Sequence, residues 1–221
     1  MGTGLGSKLF MGSFGFCVGD IDYAGPMKPP LHPRRLLDGV IEGVKDGGNK
    51  SGVPTTFGQT LYDPGYMGKS LVFVTALGIM PRTVKGAPSH EKKTTPGDLI
   101  IMSGGRVGKD GIHGVTASSE SYSENTPAGH VQIGDPYTQK KMHDFLLAAR
   151  DEGLIPFITD NGGGGLSSSV GESAMISNGC EVWLDRVPLK YEGLDMWEIW
   201  ISESQERMTI AVTPQNLDRF M

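Results

Sequence analysis

Three short stretches of this chain carry groups that could do chemistry. Residues 159–173, TDNGGGGLSSSVGES, set Asp160 and Asn161 ahead of four consecutive glycines. Side chains are scarce there, so the backbone is the working part. A glycine turn that opens a helix exposes unpaired N–H groups at a positive dipole end and lets a ligand approach closely, which makes an anion site. Asp160, at the carboxyl end of an apolar strand pattern, suits Mg2+, an ion that binds through one or two carboxylates plus waters and substrate phosphates. The same Asp-Asn pair also serves as an ordinary turn and helix cap. Neither a GK[ST] phosphate loop nor a GxGxxG fingerprint is present.

The second stretch, SGGRVGKDGIHG at 103–114, places Arg106, Lys109 and His113 among glycines. It reads equally as a phosphate cradle or as a glycine-rich turn with solvated basic residues. A lone histidine is more often a hydrogen-bonded structural residue than a base. The third, Glu203-Ser204-Gln205, offers a carboxylate, a hydroxyl and an amide suited to a ribose or an amide ligand, although such tripeptides are also plain loops. There is no Ser-His-Asp order, no HExxH and no cysteine with an activating neighbour, so covalent hydrolase and metalloprotease chemistries lack their motifs. The residues alone lead to a small-molecule phosphate site with the catalytic residues unknown.

The elements around these stretches are legible in part. The first thirty residues, ending in GPMKPPLHP, read as an irregular, extended lead-in. Leu36, Leu37, Val40, Ile41 and Val44 then predict an amphipathic helix from Pro33 to a stop at Gly47-Gly48. LVFVTALGIM at 71–80 predicts a buried strand, and the aperiodic 82–97 a linker. DLIIMSG at 98–104 predicts a strand. Asp135 as N-cap, Pro136 and the spacing of Met142, Phe145, Leu146 and Ala149 predict a helix that stops at Gly153. LIPFIT predicts a strand, Leu166, Val170 and Ala174 one edge of a helix ending at Asn178-Gly179, and CEVWL and MTIAV two more strands. MWEIW at 196–200 reads as core packing for Trp197, Ile199 and Trp200. Strands alternating with helices give an α/β or α+β fold over residues 97–221.

The chain of 221 residues is long enough to bury a core, and a net charge of −5 without a basic run argues against a nucleic-acid partner. Cys17 and Cys180, far apart, suit free thiols in the cytoplasm, and no apolar run suits a membrane span or leader.

Read together, GNKSGVPTTFGQTLYDPGYMGKSLVF, GGRVGKDGIHG, VQIGDP, TDNGGGGLSSSVGE and LDRVPLKYEGLDMWEIWISESQERM resemble the phosphoribosylformylglycinamidine synthase family of purine synthesis, from about Leu31 onward. The resemblance implies the aminoimidazole ribonucleotide synthetase-like fold. Residues 1–85 would be the tail of an N-terminal, dimer-forming α+β half, and 97–221 most of a C-terminal α/β half that continues past Met221. It also implies an ATP-dependent ligase: the amide oxygen of formylglycinamide ribonucleotide is phosphorylated, and ammonia from a glutaminase partner displaces the phosphate. By motif, Gln132, Glu203, Ser204 and Gln205 would bind substrate, Asp160 would hold Mg2+, and the loop of Arg106, Lys109 and His113 would lie near the substrate phosphate. The family's catalytic histidine and ATP loop lie upstream of Met1, so the chain alone is expected to be inactive. Gln59 stands where relatives commonly have an acid, and NGGGG replaces a mixture with alanine. The alternatives are a non-catalytic nucleotide-binding or assembly module, or another enzyme of the superfamily.

Overall fold

The computed structural model describes residues 1–26, 31–120 and 128–221; the Pro-rich reading of 27–30 falls outside them. The chain divides into two compact units, 9–78 with 119–127, and 1–8 with 79–118 and 128–221.

In the smaller unit, β1 (Lys8–Val18) is the central strand of a sheet ordered β2-β1-β3, so the irregular lead-in expected here is overturned. Its signal is the alternation of Phe14, Phe16 and Val18, diluted by glycines. These side chains pack on Leu37, Val40 and Val44 of α1 (Pro33–Ser51). The helix runs through Gly47 and Gly48 and ends at Gly52, whose left-handed φ of 68° lets its N–H reach the Gly48 carbonyl. Two helical glycines weaken a helix by about 1 kcal/mol each without breaking it; the left-handed residue is what terminates it. α1 crosses over to β2 (Thr55–Tyr62), which pairs in parallel with β1. β3 (Leu71–Ile79) is a strand, as its β-branched run requires, but it is exposed along nearly its whole length, with Phe73 at 64%. An apolar run signals burial only where another layer covers it, and β3 is an edge strand with both faces open among the described residues.

The larger unit opens with a hairpin, β4 (Thr83–Val84) and β5 (Ala87–Pro88), turned by Lys85 and Gly86 at positive φ. Val84, Ser89 and Thr94 are buried, so the stretch 82–97 is packed structure rather than a linker. An antiparallel sheet then forms from β6 (Leu99–Gly104), β7 (Phe157–Asp160) and β8 (Arg207–Val212), in the order β6-β8-β7. All six residues of β8 are buried. α2 (Gly114–Ser118) follows the glycine loop, and α3 (Pro136–Asp151) starts at Asp135, whose carboxylate caps the Tyr137 N–H at 3.1 Å. Met142, Leu146 and Ala149 of α3 pack on Ile158, Met208, Ile210 and Val212, while Phe145 stays half-exposed against Phe220 of α6 (Leu217–Phe220). Burying one such aliphatic side chain contributes about 2 kcal/mol.

On the opposite face, Leu166 and Val170 of α4 (Gly165–Ser177) meet Val107 and Ile199 of α5 (Met196–Ile201). Ser169 Oγ and Thr209 Oγ1, 2.8 Å apart, tie α4 to β8. Helices on both faces of an antiparallel sheet make this an α+β fold. CEVWL is not a strand: Val182 and Trp183 are exposed and no ladder partner lies beside it among the described residues. Of the three residues expected in the core, Ile199 is buried with Trp200 packed against it, whereas Trp197 is 53% exposed. Both cysteines are free, and no helix among the described residues is long and apolar enough to cross a membrane.

Candidate ligand site at the turn before β8

The turn at residues 202–206 is where the fold brings the sequence-predicted residues together. Ser202, Glu203 and Ser204 are buried there, held from below by Arg207. The Arg207 guanidinium donates to the carbonyls of Ser202 at 2.6 Å and Ser204 at 2.8 Å, and burial lowers its pKa to about 10.

Glu203 joins four segments. Its Oε2 accepts from the Val115 N–H at 2.9 Å and from Gln132 Nε2 at 2.7 Å; its Oε1 accepts from the Gly164 N–H at 3.1 Å. The anion received at the start of α4 is therefore the protein's own carboxylate. Gly165, at φ 58°, answers the glycine run: a Cβ there would overlap the Ser202 carbonyl oxygen. The glycines make room for this turn.

Ser204 Oγ accepts from the Gly108 N–H at 3.0 Å and donates to Asp110 Oδ1 at 2.8 Å, and Asp110 is paired with Lys190 at 2.9 Å. The hydroxyl proton is thus committed. Gln205 Nε2 donates to the Glu203 carbonyl at 2.9 Å.

The basic residues of the 103–114 loop lie apart from this arrangement. Arg106 Nη1 donates to the Leu189 carbonyl at 3.3 Å, and Lys109 pairs with Glu198 at 3.0 Å. Hydrogen bonding to Glu198 holds the Lys109 pKa up, and a backbone N–H bond at Asp195 with Lys109 beside it holds Glu198 down. His113 is exposed, at φ 59°, edge-on to His130 at 6.5 Å.

Asp160 ends β7 with Oδ1 accepting from the Gly162 N–H at 2.9 Å. With Asn161, Ser204, Gln205 and His143 it lines a cavity of about 120 Å3. No cluster of three or more His, Cys, Asp or Glu side chains able to hold a metal ion occurs among the described residues. Asp160 fits Mg2+ as a single carboxylate, with ligand phosphates and waters left to complete the shell. Asn161 is buried, its Oδ1 accepting from Thr209 Oγ1 at 2.7 Å and its Nδ2 without a protein partner. Burial pushes His143 down to about 4 and raises the Glu206 pKa.

Sequence reasoning missed Asp110, Lys190, His143 and Arg207. An acid enclosed by glycines at Asp110 was the one available signal; the others became visible only by packing. Together these groups bind and orient through hydrogen bonds; the one carboxylate beside a hydroxyl, Asp110 at Ser204, is itself tied to Lys190.

The family model described as "AIR synthase related protein, C-terminal domain" matches residues 95–221. The chain is 38% identical over 228 residues to "Phosphoribosylformylglycinamidine synthase subunit PurL" of Methanopyrus kandleri, covering 98% of this chain and 30% of that protein. Among solved structures it is similar to T. maritima PurL complexed with FGAR, with a TM-score of 0.77 and 31% identity over 98% of this chain and 33% of that one. The complex of T. maritima PurL with ATP matches at a TM-score of 0.70 and 29% identity over 98% of this chain and 31% of that one. PurLQS from Thermotoga maritima matches at 0.71 and 31%, over 97% and 31% of the two chains. The chain thus spans about a third of the length of the relatives it matches. Its antiparallel sheet, the turn before β8 and the matched model place this chain in the family of AIR synthase related proteins, similar along its length to a segment of PurL.

Proposed function

We propose that this chain forms a substrate-binding part of an ATP-dependent ligase that converts formylglycinamide ribonucleotide to formylglycinamidine ribonucleotide with glutamine-derived ammonia, in the cytoplasm. The observation that carries the reading is the convergence of Gln132 and Gln205 on Glu203, with Ser204 beside it held by Asp110 and with Asp160 in the adjoining cavity. The T. maritima relative complexed with FGAR supports the substrate, and its ATP complex and the PurLQS structure support ATP and a glutaminase partner. In this reading Gln132 and Gln205 hold the ligand through their amides, Ser204 and Glu203 support the turn, and residues 1–85 and 97–221 correspond to the two synthetase-like halves. Asp160 would hold Mg2+, which supplies charge neutralisation at the ATP phosphates. Of Arg106, Lys109 and His113, the exposed His113 would lie toward the substrate phosphate, and Arg106 and Lys109 would reach it only by leaving the Leu189 carbonyl and Glu198. The exposed Phe57 of β2 and Phe73 of β3 support a homodimer through the smaller unit's sheet.

The test is calorimetric titration of the chain with formylglycinamide ribonucleotide. Binding should occur and should weaken about tenfold or more in a Gln132→Ala, Gln205→Ala variant, each lost ligand hydrogen bond contributing about 1 kcal/mol. Addition of ATP, Mg2+ and ammonia should release no ADP above background. Unchanged binding by the double variant would remove the ligand from this turn.

A further inference from the structure

We propose that Glu203 is a positioning residue that sets the hydrogen-bonding polarity of the site, turning the two glutamine carboxamides so that they offer carbonyl oxygens and select a ligand through its N–H groups. The proposal rests on the substrate reading above only for the identity of the ligand.

A carboxylate accepts hydrogen bonds and donates none, so the group of Gln132 that lies 2.7 Å from Glu203 Oε2 is its NH2. The Gln132 carbonyl oxygen faces away and has no protein partner among the described residues. A second glutamine repeats the arrangement. Gln205 Nε2 lies 2.9 Å from the backbone carbonyl of Glu203, another pure acceptor, so its NH2 is likewise drawn inward. Glu203 thus orders both amides, one through its side chain and one through its main chain.

The anchor is firm. Glu203 is 5% exposed, and its two oxygens accept three donors from Val115, Gly164 and Gln132. Val115 and Gly164 stand at the first turns of α2 and α4, so rotating the carboxylate would strand two backbone N–H groups. Space is closed as well: a Cβ on Gly111 would press on Gln132 Cγ, and one on Gly114 would press on Glu203 Oε2. The proton of Ser204, the remaining hydroxyl of the tripeptide, is committed to Asp110. What the two carboxamides turn outward is therefore their carbonyl oxygens, and a ligand amide carrying N–H matches them, while the unpaired Asn161 Nδ2 of the adjoining cavity is matched by a ligand acceptor. An analogue without N–H covers these half-buried acceptors without pairing them and is disfavoured.

The test uses the 221-residue chain, wild type and Glu203→Gln, with formylglycinamide ribonucleotide and an analogue methylated at its formamido and glycosidic amide nitrogens. The side-chain NH2 of Gln132 and the amides of Val115 and Gly164 should exchange slowly by NMR in the wild type, and the NH2 protection should vanish in Glu203→Gln. The wild type should prefer the N–H ligand about tenfold over the methylated one. Glu203→Gln should lose the share of the preference that Gln132 carries, Gln205 keeping its main-chain acceptor, and adding Gln132→Glu, which restores a donor-to-carboxylate pair, should recover part of it. Equal loss of both ligands in Glu203→Gln, or an unchanged preference, would overturn the proposal. If the wild type binds neither ligand, the substrate reading fails; the exchange data then decide the positioning role by themselves, as they do if Glu203→Gln does not fold. Rapid exchange of the Gln132 NH2 in the wild type sinks it outright.

Discussion

Asp110 shows how a single side chain serves this site without facing a ligand. It accepts from the Ser204 hydroxyl and from Lys190, with 13% of its side chain exposed. Replacing it with alanine strips Ser204 and the half-buried Lys190 of an acceptor at once, and the expected cost is about 2 kcal/mol in a urea unfolding titration. A loss below a few tenths of that would mean the Asp110 carboxylate is solvated rather than structural. His143 carries a pH signature. Burial lowers its pKa from 6.5 to about 4, so unfolding takes up a proton between those values. The stabilisation of the neutral ring is complete above pH 6.5 and is lost as the pH falls toward 4. Allowing for partial exposure, the change is on the order of 2 kcal/mol. The stability difference between wild type and His143→Gln should shift by that amount between pH 7 and pH 4.5, and a constant difference would rule the mechanism out.

At the scale of elements, α4 separates two uses of glycine within one helix. Gly165 sits at φ 58° with the Ser202 carbonyl oxygen where a Cβ would go, whereas Gly171 has open space there. Gly165→Ala should destabilise by about 3 kcal/mol or prevent folding, from strain and overlap together. Gly171→Ala should stabilise by about 0.5–1 kcal/mol through helix propensity. Thermal melts of the pair measure both, and equal effects would contradict the packing described. The same scale shows what was readable in the residues. α3 was legible at both ends because Asp135, Pro136, Gly153 and its apolar spacing act locally. β1 was not, because glycines hid the alternation of Phe14, Phe16 and Val18, and CEVWL was misread because a short apolar run says nothing about whether a neighbouring edge is free to pair.

At the scale of the whole molecule, the smaller unit leaves aromatic and aliphatic groups of β2 and β3 in water, with Phe57 at 60%, Phe73 at 64% and Val74 at 54% exposed. An edge strand of this kind is a template for association. Sedimentation of the isolated chain should show mass rising with concentration, and Phe73→Lys should weaken that association at least tenfold, through a charge placed on an apolar contact. A monomer at every concentration would remove the sheet as a self-association surface.

The sequence by itself determined the helices that carry their own caps and spacing, the strands with continuous β-branched runs, and the motifs that carry the family resemblance. Each depends on neighbours a few residues away. Only the tertiary structure decided that Glu203, 39, 71 and 88 residues from Gly164, Gln132 and Val115, would fill the anion site that the glycine run exposes. It also decided that Arg106 and Lys109 would turn to other partners. Which acceptor a buried N–H receives is settled by packing between distant segments, and residue type alone carries no record of that distance.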